Sequence, residues 1–86
     1  MFNIKHKYLF SKYKEQKYLK KLIEKIENKD FIQMYKEFET ISSYNELENF
    51  IKKYNLKIKL NNKPISELKE KLAFEIIELI YSKLNS

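Results

Sequence analysis

A single histidine, no cysteine and no glycine leave lysines, carboxylates and aromatic rings as the groups with which this 86-residue chain can do chemistry. Each familiar catalytic arrangement needs something that is missing. His6 stands in a lysine-rich stretch with no Cys, His or Asp cluster nearby, so no ligand set for a metal forms around it. The acids Glu37, Glu39, Glu46 and Glu48 lie close together, and paired carboxylates can act as general acid and base. Here Glu46 follows Ser43 by three residues, as in a capping box, while Glu37 and Glu39 are expected on exposed faces as solvating groups. A chain without glycine also has no phosphate-cradling loop of the P-loop or dinucleotide type. The sequence therefore predicts a protein that is not an enzyme, with no metal and no cofactor.

The lysines offer more. All positive side chains are lysine, and they fall in two blocks: Met1 to Asp30 carries nine against four acids, and Lys52 to Lys63 carries five against none, within a net charge of +6. Concentrated charge of this kind attracts polyanions before any specific contact forms. The codon usage of an AT-rich genome would be an alternative explanation of the missing arginines, but not of the clustering. Because bidentate reading of a guanine edge is mainly arginine chemistry, contact with the phosphate backbone is expected more than base reading. At about 100° per residue, Lys7, Lys14, Lys17, Lys21 and Lys25 share an arc of roughly 80°, with Phe10 among them and Tyr18 at its border. Lysines neutralise phosphates and flat rings stack on unpaired bases, so Phe10, Tyr13 and Tyr18 complete a candidate binding face.

Helices must position these groups. From about Lys5 to Asn28 nothing breaks a helix, and Tyr8, Leu19, Leu22, Ile23 and Ile26 make its apolar side. Asp30 with Gln33 predicts a cap for a short helix whose buried face is Phe31, Met34, Tyr35 and Phe38. Ser43 and Glu46 open another with a stripe of Leu47, Phe50, Ile51 and Tyr54, stopped at Asn55, the residue after glycine most tolerant of left-handed backbone. Leu56 to Leu60 alternates apolar and basic, which predicts an extended loop or an edge pairing with Phe2 to Ile4. After the turn Asn61 to Pro64, Ser66 is the expected cap of a last helix from Glu67 to about Leu84. That helix is apolar around most of its circumference, so it is expected at the centre, packed by the others or by a second copy in a homodimer. The fold class is all-α: a small bundle of three to four helices, one domain over residues 1–86, with an extended loop before the central C-terminal helix.

At this length roughly 60% or somewhat more of the unfolded chain's surface is buried on folding, which leaves little room for a catalytic cleft. The absence of cysteine suits a reducing compartment, and no signal-like or membrane-spanning apolar run stands out, so a cytoplasmic location is expected.

The stretch SYNELENFIKKYNL, a loop with NKPI, and then SELKEKL resemble the SAP and related helix–extended-loop–helix motifs of nucleic-acid-binding proteins. Leu47 and Ile51 stand at the first helix's core positions, Asn55-Leu56 where the family has Gly-Leu, Lys63 at the loop lysine, and Leu68 and Leu72 in the second helix. The loop is longer than the motif's and holds Pro64, and the second helix runs on past it. The resemblance implies that Lys52, Lys53, Lys59 and Lys63 face a phosphate backbone. Two functions follow as expectations. One is a small binding protein contacting nucleic acid or a nucleoprotein through its lysine faces. The other is a protein-directed inhibitor or immunity factor, of the kind that phage anti-CRISPR or bacteriocin immunity proteins represent, using apolar anchors such as Phe10, Phe31 and Tyr35.

Overall fold

A computed structural model of the protein describes residues 13–84, and these form an all-α bundle. Four helices run in chain order: α1 Lys14–Ile26, α2 Lys29–Glu39, α3 Tyr44–Lys53 and α4 Ile65–Leu84. The backward extension of α1 to Lys5 and the pairing at Phe2 to Ile4 fall outside the described residues.

Apolar spacing sets the faces. Leu19 and Ile23 of α1, Phe31, Met34 and Phe38 of α2, and Leu47 and Phe50 of α3 are buried at the intervals expected of single-faced helices. They converge on α4, which supplies Leu68, Leu72, Ala73, Ile76, Ile77 and Ile80, and no polar or charged side chain among the described residues is buried with them. Most of α4's circumference is thereby covered, as a central helix requires. Phe74, Tyr81 and Leu84 depart from the expectation of an all-round apolar contact: they remain 46%, 38% and 55% exposed.

The boundaries expose local physics. α1 ends two residues earlier than expected, at Ile26, because Glu27 turns left-handed at φ 50°. Asn55 does the same at φ 53° after α3, so a chain without glycine places ordinary residues where glycine would sit without steric cost. The expected cap Asp30 is corrected to Asn28, whose extended backbone lets its side-chain oxygen accept the Phe31 amide at 3.1 Å. Asp30 lies instead in the first turn of α2. Ser66 is likewise not a cap. Pro64 precedes α4, its carbonyl accepts the Glu67 and Leu68 amides at 3.0 and 3.1 Å, and Ser66 already belongs to the first turn. Ser43 caps α3 as expected, its Oγ accepting the Glu46 amide at 3.2 Å, while the return bond differs from the standard box: Glu46 Oε1 accepts at 2.9 Å from the amide of Ser42, one residue before the cap.

Two ends are closed by tertiary contacts from adjacent residues of α4. No side chain local to Tyr13 caps α1. Glu70 does so from a distance, accepting the Glu15 amide at 2.6 Å, the Gln16 amide at 3.4 Å and the Gln16 side-chain amide at 3.2 Å. A carboxylate at a helix N-terminus satisfies free donors and opposes the positive end of the dipole. Lys69 serves the other pole, donating to the carbonyls of Glu39 and Ile41 at the end of α2 at 3.4 and 3.2 Å, with its ammonium 4.9 Å from the Phe38 ring centre. Burial holds the Lys69 pKa below the usual lysine value, partly offset by Glu39. Glu70→Ala is expected to lower stability by about 1–2 kcal/mol, the worth of a cap plus its dipole interaction. Urea midpoints measure this, with the exposed Glu48→Ala as a control expected within about 0.5 kcal/mol of the parent.

Candidate nucleic-acid interface

The lysine arc of α1 lies opposite its buried residues. Lys14, Lys17, Lys21 and Lys25 are all exposed, and Tyr18, 44% exposed, stands at the edge of the arc as expected from the spacing. Lys7 and Phe10 lie outside the described residues. Tyr18 has a partner that the local sequence does not reveal: its hydroxyl meets that of Tyr81 on α4, and this contact raises the Tyr81 pKa above the usual tyrosine value. The arc therefore borders the α1–α4 seam.

The second block follows α3. Lys52 and Lys53 occupy its last turn, where cations favour the negative end of the dipole. In the loop beyond, Leu56, Ile58 and Leu60 are half-buried against the core while Lys57 and Lys59 are exposed, which is the alternation predicted for an extended segment. No strand is present among the described residues. Lys63 is exposed in the turn, and its carbonyl accepts the Tyr44 hydroxyl, tying the turn to the first residue of α3.

The loop of the second block forms one wall of a cleft of about 400 Å³ lined by Lys57, Ile58, Lys59 and Asn61 of the loop, Glu15 of α1, and Glu70, Lys71, Phe74 and Glu75 of α4; no lysine of α1 lines it. Lys57, Lys71 and Phe74 were not foreseen as site residues. Lys57 shares its alternation with Lys59 and was open to the same reading, whereas Phe74 looks like one more apolar position of a core helix. Three carboxylates share the cleft with three ammonium groups, so the positive surface is the outward side of the loop and of α1, not the cleft floor. Among the described residues, no carboxylate lies within salt-bridge reach of Lys14, Lys21, Lys25, Lys52, Lys59 or Lys63.

Lys53 differs. Its ammonium lies 2.8 Å from Glu37 Oε1, and Glu37 also accepts the Tyr54 hydroxyl at 2.9 Å and the Gln33 side-chain amide at 3.1 Å. Glu37 is thus corrected from a solvating group to the hub that ties α2 to the end of α3, because its position on α2 brings it against Lys53 and Tyr54. The Lys53 and Gln33 bonds hold the Glu37 pKa below the ordinary 4.5; Glu37 in turn raises the Lys53 pKa above 10.5. Burial, followed by the bond to Glu37, raises the Tyr54 pKa. A carboxyl whose folded pKa is depressed contributes stability above its unfolded pKa and loses it as pH falls through the folded value. Acid titration of stability should therefore show a loss below about pH 4.5 that is reduced in Glu37→Gln. Urea unfolding at stepped pH measures it, and an unchanged acid limb would deny Glu37 this role.

No three His, Cys, Asp or Glu side chains among the described residues gather to hold a metal ion, and no helix among them is long and apolar enough to cross a membrane. No family model, curated protein or solved structure matches this chain.

Proposed function

We propose that the protein binds nucleic acid, or a nucleoprotein, through lysine contacts to the phosphate backbone. The observation that carries this reading is the outward lysine surface: Lys14, Lys21 and Lys25 along α1, and Lys52, Lys59 and Lys63 at the end of α3 and in the loop after it, are exposed with no carboxylate within salt-bridge reach among the described residues. Electrostatic capture by these rows is followed by limited stacking on the exposed ring of Tyr18. The helix–loop–helix from Ser43 to Leu72 supports it. Leu47, Leu68 and Leu72 are buried, Asn55 takes the left-handed backbone where the SAP-like pattern has glycine, and Lys52, Lys59 and Lys63 are exposed. Lys53, held by Glu37, contributes less to such a face. A gel shift with single- and double-stranded nucleic acid across a salt series tests the proposal. Retarded bands that vanish steeply with salt are expected, with little sequence preference; affinity unchanged between low and moderate salt overturns it.

The exposed Phe74, Tyr81 and Leu84 favour a second reading, in which the chain acts on a protein target. A pull-down with and without nuclease separates the two, since a partner retained after nuclease treatment is held by protein contacts.

A further inference from the structure

The cleft between the Leu56 to Leu60 loop and α4 holds groups that phosphate contact leaves unused. Lys71, Phe74 and Glu75 stand at i, i+3 and i+4 on α4 and so share one side of that helix, and with Lys57, Ile58, Lys59 and Asn61 of the loop they line a space of about 400 Å³. That volume falls in the range of roughly 300–1,000 Å³ usual for small-ligand sites. The Phe74 ring is 46% exposed, and Ile58 adds half-buried apolar surface from the loop. Glu15, Glu70 and Glu75 balance Lys57, Lys59 and Lys71 in formal charge, so the floor does not select a phosphate. Among the described residues, the backbone N–H and C=O groups of Lys57 to Asn61 make no backbone hydrogen bond, and no carboxylate lies within salt-bridge reach of Lys57, Lys59 or Lys71. Apolar surface, spare donors and acceptors, and no net charge together suit a flat, neutral ring with a polar edge.

We infer that the cleft takes one unpaired base of a single-stranded nucleic acid, stacked on Phe74, with its polar edge met by the loop backbone and Asn61 and its flanking phosphates at Lys57 and Lys59. The inference rests on the phosphate-contact reading above and adds to it a preference for single strands. A base inside a duplex is already stacked and paired, and entering the cleft would mean extruding it at a cost. An aromatic side chain of a protein would cover Phe74 but bring no phosphates to the unpaired loop lysines, so a strand fits the whole site better. One base held per chain leaves the overall sequence preference small.

Fluorescence anisotropy with the full chain at low salt tests this on three labelled probes of equal length: a single strand, the same phosphodiester chain without bases, and a duplex. The parent is expected to bind the single strand about tenfold or more tighter than the abasic chain, since a stacked base adds that much. Phe74→Ala should lower single-strand affinity about tenfold and leave the abasic and duplex affinities as in the parent. Phe74→Tyr, which keeps a ring, should hold the parent's single-strand affinity. Circular dichroism checks that both variants keep their helices, and the comparison of single strand with abasic chain needs no variant at all. Equal affinity of the parent for those two probes, an undiminished single-strand affinity in Phe74→Ala, or a mononucleotide held as tightly as the strand would each overturn the inference. Salt-dependent binding of all three probes with no gap between the first two would leave the phosphate-contact reading standing alone, whereas no binding of any probe would end both.

Discussion

Leu72→Ala is expected to lower the unfolding free energy by about 2–5 kcal/mol, the usual range for emptying a buried leucine site. Leu72 is fully buried on the helix on which the other three converge, with Leu68 and Ile76 one turn to either side and equally inaccessible. Neighbours on several helices hold such a site open, so it collapses poorly and the cavity adds to the lost transfer energy. A domain of this size has roughly 5–15 kcal/mol in total, so one truncation removes a large part of it. Urea unfolding should show the midpoint shifting well below that of Phe74→Ala, a larger truncation on the same helix at a site 46% exposed. Should the two variants unfold together, α4 would not be the helix around which the bundle is organised.

Reversing Lys14, Lys21 and Lys25 to Glu is expected to weaken nucleic-acid binding by about a hundredfold at low salt. Each lysine at a phosphate releases condensed counterions, and each one lost flattens the salt slope by about one. If about six phosphates are contacted, the parent should lose on the order of 10³ in affinity between about 50 and 200 mM salt, and the triple variant much less. These three residues are exposed, opposite the core, and make no ion pair among the described residues, so the substitution leaves packing intact. Lys36→Glu, on α2 and outside both blocks, is the control and should bind as the parent does. Titrations at several salt concentrations read both slope and affinity; equal losses in the control and the triple variant would reduce the effect to net charge alone.

Much of the bundle was legible from spacing. The buried faces of α1, α2 and α3, the Ser43 cap, the left-handed Asn55 and the alternating loop each depend on residues within one or two turns of one another. Adjacent caps were harder to separate: Asn28 and Asp30 are both good N-cap residues, and the choice fell to Asn28, where the backbone is extended. Of the candidate site, the exposure of Lys14, Lys17, Lys21, Lys25 and Tyr18 was readable, but not the ring beside Tyr18 or the capture of Lys53 by Glu37.

By itself the sequence determined which side of each helix is apolar, where the positive charge is concentrated, and that glycine-dependent phosphate loops and cysteine chemistry are absent. Those properties belong to residue type and to the 3.6-residue period, both of which act along the chain. Tertiary structure alone decided that Glu70 caps a helix 54 to 55 residues earlier, that Lys69 closes the end of α2, and that Phe74 and Tyr81 of an apolar helix face solvent beside the lysines. Contacts across such separations have no local period to announce them. They are set by how the helices pack against one another, because burying the fourteen apolar side chains of the core among the described residues fixes the helices first and only then determines which charged and aromatic groups become neighbours.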